Sequence, residues 1–392
     1  MTHHAVQRFL RIFLYPLVLS SLVCGVSYAA DSPPIDIAPD TTTAKVRLIR
    51  DDLERPWALA FLPDRSILIT EIGNRLLKLS PDGLQRTEIR GLPDVATLGQ
   101  GGLLDVAVDP DFETQAWVYL TYTERDKSTL LPKYGTAVAR GRLVGNALVD
   151  LAVIFRQSPK TSGGGHFGSR LAFAKDKTLF ITLGERQLKT PAQDLTQSLG
   201  KVVRINRDGS IPKDNPRLGE SAIPGLWSLG HRNPQGAAIH PTTGELWISE
   251  HGPQGGDEIN IARSSKNYGW PNRSYGCNYG QPAGSGCRLG GGTHAPDYEE
   301  PVTFWEPTSI APSGLMFYQG RLFPKWKGNL FSGSLAGQAL WRLELDGNRV
   351  VKRQRLLSDL KSRIRDVREA PDGSIVVLTD AGQLLRLVPA AN

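Results

Sequence analysis

The sequence predicts an all-β fold, a six-bladed β-propeller, and three observations carry that prediction. A unit of apolar strand, turn, apolar strand and third strand recurs six times along the chain. Its turns are marked by PD, DG and TG pairs, which favour tight reversals. No stretch keeps a helical period over the repeats, and 41 Gly with 27 Pro suit a turn-rich β protein.

The copies run in order. The first is PWALAFLPDRSILITEIGNRLLKLSPDG and the second LLDVAVDPDFETQAWVYLTYTE. The third is SRLAFAKDKTLFITLGER with VVRINRDGS, the fourth PQGAAIHPTTGELWISE with EINIARSS. The fifth spans SGLMFYQGRLFPKWKGNLFSGSLAGQALWRLELDG and the sixth RDVREAPDGSIVVLTDAGQLLRLVP. Each run is of strand length and alternating or β-branched. Six four-stranded sheets around a channel fit these copies better than a two-sheet sandwich, because the strand–PDG–strand unit itself repeats. The strand KVRLIR, Lys45 to Arg50, is expected to pair with the last unit, closing the ring and covering two sheet edges.

Residues 1–29 read as a cleavable export signal. Arg8 and Arg11 form its basic start, IFLYPLVLSSLVCGV its apolar stretch and Ser27-Tyr28-Ala29 its cleavage site. Val23 before Cys24 argues against lipoprotein processing, and the apolar run is too short for stable membrane insertion. Residues 30–44, polar and rich in proline, read as a flexible leader, and 45–392 as one propeller domain. A periplasmic or secreted protein follows. Loss of Arg8 and Arg11 lowers the formal net charge from +7 to +5. The remaining cations are scattered, which excludes a nucleic-acid binder. Cys277 and Cys287 are left as a pair, expected to form a disulfide in an oxidising compartment; no further soft ligands at zinc spacing accompany them.

A propeller gathers ligands at one end of its channel, so functional residues should come about one cluster per blade. GQGGLLDVAVDPDF presents Gln100 among glycines, a donor and acceptor on backbone that a ligand can approach; alone it reads as a turn residue. GGGHFGSRLAF holds His166 in a glycine loop that makes it accessible, the side chain best suited to take a proton near neutral pH. LGER follows with Glu185, a carboxylate able to fix the imidazole tautomer. A loop hydrogen bond and a strand-end charge are the plainer readings of these two. GHRNPQG offers Arg232 and Asn233 to an anion or carbonyl. EHGPQGGDEIN adds the Gly252–Pro253 turn and the Asp257–Glu258 pair; Glu258 with nearby carbonyls suits calcium, and a surface acidic pair explains the spacing equally well. SRIRDV puts Arg363 and Arg365 on one strand face as an anion clamp, where two solvated arginines are the bland alternative.

Taken together, and in this order with NYGWP and WEPTSIAPSG, the motifs resemble the soluble aldose sugar dehydrogenases that depend on pyrroloquinoline quinone (PQQ). The resemblance covers about residues 45–388. It implies an oxidoreductase that takes a hydride from C1 of an aldose to the quinone, giving the lactone, with Ca2+ as Lewis acid. His166 would be the general base, Glu185 its orienting partner and Arg232 the group facing charge on the quinone. Gln100, Arg232, Asn233, Tyr279, Arg363 and Arg365 match positions that hold PQQ. The carbonyls of Gly252 and Pro253 match the activating calcium site, and Glu258 with the Tyr268 carbonyl a second, structural one. An external electron acceptor, soluble or of a respiratory chain, is implied, with the protein a monomer or homodimer. One departure stands out: the family commonly has lysine where this chain has Ala336, in GSLAGQAL. Two other readings fit a propeller: a calcium-dependent hydrolase such as a lactonase, and a binding module without chemistry. Loops 125–137 and 271–300 are the least regular and carry no legible code for one sugar.

Overall fold

The computed structural model describes Ile37–Ala38 and residues 44–291 and 293–390; the expected export signal lies outside the described residues. Six sheets form in chain order, each meandering outward from an inner strand. The first blade comprises Pro56–Phe61, Ile67–Glu71, Arg75–Leu79 and Arg86–Ile89; the second Leu103–Val108, Trp117–Arg125, Tyr134–Val144 and Ala147–Arg156. The third comprises Gly168–Phe173, Leu179–Leu183, Lys201–Ile205 and Leu226–Leu229; the fourth Pro234–Ile239, Leu246–Glu250, Asp257–Ile261 and Thr303–Trp305. Pro312–Phe317, Leu330–Ser334, Ala339–Asp346 and Arg349–Leu356 make the fifth, to which Ile37–Ala38 adds a short parallel strand. The sixth is Ile364–Glu369, Ile375–Thr379 and Leu384–Pro389, completed from outside by Ala44–Arg50. The ring is therefore closed as the sequence predicts, by an N-terminal strand on the C-terminal blade.

The inner strands contact one another in a closed circle of six. Between each pair of adjacent blades lies one apolar cluster, six in all among the described residues. This explains why the second strands read as continuous apolar runs. In ILITE, Leu68 joins the cluster toward the second blade while Ile67 and Ile69 join the one toward the sixth. Alternate side chains serve alternate interfaces, so neither face can be polar. A polar seam accompanies the apolar one. Thr121, Thr182 and Ser249 each donate from a second strand to an inner-strand carbonyl of the next blade, at 2.8, 3.0 and 2.8 Å.

The channel is filled below its mouth by a buried ion cluster. Arg170 donates to Asp105 at 2.9 Å, lies 3.3 Å from Asp366 and stacks beneath the Trp57 ring at 4.2 Å. Each aspartate also accepts a backbone N–H from a neighbouring blade, Leu171 on Asp105 and Leu59 on Asp366. Joined in this way, the four-blade crossing forms the floor on which a ligand site can be built.

Candidate functional site at the channel mouth

A cavity of about 410 Å3 opens above Trp57, within the range of small-ligand sites. Gln100, His251, Arg363, Arg365 and Asp380 line it. Arg363 and Arg365 do converge, and the reason lies in Asp380. Arg363 donates to its carboxylate at 2.7 Å and Arg365 at 2.8 and 3.2 Å. Arg365 also donates to Gln235 at 3.0 Å. The clamp is thus preoriented, and its net charge is one positive rather than two. Burial opposes ionisation of Asp380, but the two guanidiniums outweigh it and hold the carboxyl below its ordinary range.

His166 sits on the loop between the second and third blades. Its Nδ1–H donates to Glu185 at 2.6 Å, which leaves Nε2 as the basic nitrogen. Glu185 is itself fixed, since its other oxygen accepts the Lys189 N–H at 2.8 Å. The backbone N–H of His166 donates to Gln100 at 2.9 Å, so the two clusters read from sequence meet. Gly99 makes that contact possible: its φ is +55°, and a Cβ there would lie 2.5 Å from the Gly164 carbonyl. The glycine loop does not leave His166 open, as its composition led us to expect. The residue is only 7% exposed, because the loop folds back against Gln100 and Arg186. Burial, aided by the Arg232 and Arg186 cations and opposed by Glu185, lowers the imidazole pKa below 6.5. A neutral, proton-accepting ring at neutral pH is the consequence.

Arg232 and Asn233 connect this base to the fourth blade. Arg232 donates to the Gly252 carbonyl at 2.6 Å and the His251 carbonyl at 3.1 Å, and its backbone carbonyl accepts the Glu185 N–H at 2.9 Å. Asn233 accepts the Gly168 N–H at 3.0 Å. Two donors remain buried without partners: Arg232 Nε and Asn233 Nδ2. Such orphans are costly unless a ligand or a water supplies acceptors. Tyr279 lies on the same side, 71% exposed, with its hydroxyl 3.3 Å from Arg232. The Cys277–Cys287 disulfide closes its loop, with Cα atoms 5.2 Å apart. Cys277 also pairs with Gln254 in both backbone directions, anchoring that loop to the Gly252–Pro253 turn.

The turn is shaped by Asp257, which accepts three backbone N–H groups, from Gly252, Ile310 and Ala311, at 2.8, 2.6 and 2.7 Å. Burial still pushes its pKa up to about 6. The Pro253 carbonyl accepts from Ser309 at 3.2 Å. Behind the turn, Glu258 and Tyr268 border a small, half-open space of about 10 Å3, room for one water-sized guest. Glu250 and Glu258 stand opposite each other across two strands, and burial and that facing carboxylate raise Glu258 well above its ordinary pKa. Asn260 donates to both, at 2.9 and 3.1 Å, while its own buried oxygen has no donor. A carboxylate pair beside an unpartnered amide oxygen offers oxygen atoms of the kind a hard cation takes. Among the described residues no three His, Cys, Asp or Glu side chains are arranged as metal ligands.

The sequence profile described as Glucose / Sorbosone dehydrogenase matches residues 53–386, nearly the whole propeller. The chain belongs to the glucose/sorbosone dehydrogenase family. It is 44% identical over 355 residues to the aldose sugar dehydrogenase of Escherichia coli, covering 88% of this chain and 93% of that protein. The crystal structure of the soluble E. coli aldose sugar dehydrogenase in its apo form superposes with a TM-score of 0.82 at 42% identity, over 89% of this chain and all of that one. The PQQ-bound aldose sugar dehydrogenase of Streptomyces coelicolor superposes at 0.72 with 27% identity, over 90% of this chain and 99% of that one.

Within this family member, sequence reading overlooked several residues at the site. Asp380 lies in the turn of VLTDAG, which reads as ordinary strand-end chemistry. His251 lies inside the EHGP block and went unremarked beside Gly252. Its Nε2–H donates to the Pro312 carbonyl at 2.8 Å, and burial together with Arg232 lowers its pKa to about 3. It therefore presents a neutral ring to the cavity. Ala336 is exposed in the turn 335–338, next to the buried Leu335, which lines the cavity. Among the described residues, the guanidinium of Arg355 reaches that turn, on the Gly337 carbonyl at 3.0 Å.

Proposed function

We propose that this dehydrogenase oxidises the C1 hydroxyl of aldoses to the lactone with PQQ as acceptor and Ca2+ bound beside it, in the periplasm or outside the cell. The observation that carries the reading is the pairing of a tautomer-fixed base, His166 on Glu185, with unsatisfied buried donors on Arg232 and Asn233. A ligand bearing carboxylates and quinone oxygens is rich in the acceptors those donors lack. When bound, PQQ supplies the two-electron acceptor for the C1 hydrogen, and calcium polarises its carbonyl.

This chain's residues do the rest. His166 Nε2 takes the proton of the C1 hydroxyl, and Glu185 stabilises the imidazolium that forms. Arg363 and Arg365 would hold carboxylates at the mouth, with Gln100 and Tyr279 beside them, while Arg232 and Asn233 would face the quinone oxygens. The Gly252 and Pro253 carbonyls would take the activating calcium, and Glu258 with the Tyr268 carbonyl a structural one. Among the described residues no helix is long and apolar enough to cross a membrane. The reduced cofactor would return its electrons to an external acceptor. Purified protein given PQQ and Ca2+ should reduce a redox dye with aldoses. Lactone hydrolysis without quinone, and no oxidation of any sugar tried, would overturn the reading.

A further inference from the structure

Arg186 is a buried arginine at the site whose guanidinium binds no carboxylate. Its guanidinium donates to the carbonyls of Gly163, at 2.6 Å, and Gly165, and lies 3.6 Å over the Phe167 ring. Its backbone N–H donates to the His166 carbonyl at 3.3 Å. Four of the five positions 163–167 around the base are therefore gripped by one residue. The backbone there needs gripping. His166 has φ +51° and Ser169 φ +90°, and the facing strand end carries Arg186 at +62° and Gln187 at +61°. Left-handed conformations at non-glycine residues persist only where the surroundings over-determine them. Gly184 lets the two loops touch, since a Cβ there would lie 2.1 Å from the His166 carbonyl.

We infer that Arg186 is a positioning residue for His166: it locks the strained 163–167 loop and keeps a fixed positive charge beside the ring. Glu185 and Arg186 then divide one task, the first orienting the imidazole and the second its backbone. The charged groups facing His166 are Glu185, Arg186 and Arg232, with the neutral His251 ring nearby. Of these, Glu185 favours the imidazolium and the two arginines disfavour it.

The inference rests on the proposed role of His166 as base, so the first readout omits cofactor: an NMR titration of the His166 ring in the purified protein. Arg186→Gln should raise its midpoint, and Arg186→Lys should leave it near that of the wild type. With PQQ and Ca2+ added, kcat should fall about 100-fold in Arg186→Gln, as expected for a displaced reacting group, with PQQ affinity unchanged. Arg186→Lys should recover part of that loss. A folded Arg186→Gln protein with an unmoved midpoint would overturn the inference, whatever its kcat. If Arg186→Gln fails to fold, Arg186→Lys decides, since wild-type kcat there would leave the two carbonyl contacts without a role. Failure of the wild type to oxidise sugar, with the midpoint shift present, would sink the dehydrogenase reading and leave the positioning intact.

Discussion

Glu185→Gln is the sharpest single perturbation of the base. In the wild type one carboxylate oxygen accepts from His166 Nδ1–H and the other from the Lys189 N–H. Glutamine offers only one acceptor. If its oxygen faces His166, its NH2 opposes the Lys189 N–H and a half-buried donor is left unsatisfied. If its oxygen faces Lys189, its NH2 donates to Nδ1, which forces the proton onto Nε2 and removes the basic nitrogen. The unmade bond costs about 1–3 kcal/mol, enough to lower the competent tautomer about 5- to 150-fold. Loss of the charge that stabilises the imidazolium adds to this, so kcat should fall about 100-fold or more. Cofactor affinity should not move, because Glu185 is buried with its two oxygens taken by His166 and Lys189. The assay pairs single-turnover sugar oxidation at saturating PQQ with nitrogen-15 NMR of the histidine tautomers. A near wild-type kcat with the Nδ1–H tautomer retained would refute the reasoning. Glu185→Asp keeps both acceptors and should lose far less.

Other outcomes follow from the same geometry. Arg365→Ala should weaken PQQ binding by about one to two decades, a charged hydrogen bond being worth about 1.5–3 kcal/mol. Arg363→Ala should cost less, because its side chain is 47% exposed against 10% for Arg365; equal affinities on titration would contradict the clamp. Ala336→Lys should tighten PQQ binding by about a decade with little change in saturated turnover, and unchanged affinity would mean that the cation is not missed. The pH profile carries a sign. His166 titrates below 6.5 in the folded protein, so activity should persist to below that pH and fall as the ring protonates; the stability it contributes is likewise present above 6.5 and lost on acidification. Glu185→Gln, by removing the group that favours the imidazolium, should move the acid limb lower still, and an upward shift would contradict the assignment.

The blades were legible in the sequence because two-sided burial leaves a plain trace. ILITE, LFITL and LWISE are apolar on both faces, since each second strand serves two interfaces. The closing strand Ala44–Arg50 was legible for the complementary reason, as an unpaired run ahead of the first repeat. At the mouth, residues in unusual settings stood out: a histidine among glycines, an Arg-Asn pair, two arginines one residue apart. Their anchors did not. Asp380 and Arg186 act through groups 15 or more residues away, and Asp257, legible only as half of an acidic pair, also holds the N–H groups of Ile310 and Ala311; no local spacing marks such partners. The burial of His166 was missed for a related reason. Glycines that appear to open a loop instead let it fold tightly against Gln100 and the strand end at Gly184.

The account turns on whether the channel mouth is a quinone site coupled to sugar oxidation. The most direct measurement is the absorbance spectrum of the purified protein with one equivalent of PQQ and excess Ca2+, before and after anaerobic addition of aldose. The account predicts a spectrum displaced from that of free PQQ on binding, then its conversion to the reduced cofactor within the mixing of one equivalent of sugar. In Arg365→Ala the first change should need more PQQ, and in His166→Gln the second should slow by about 10²–10⁴-fold. A bound quinone that no aldose reduces, or a spectrum identical to free PQQ at every concentration, would contradict it.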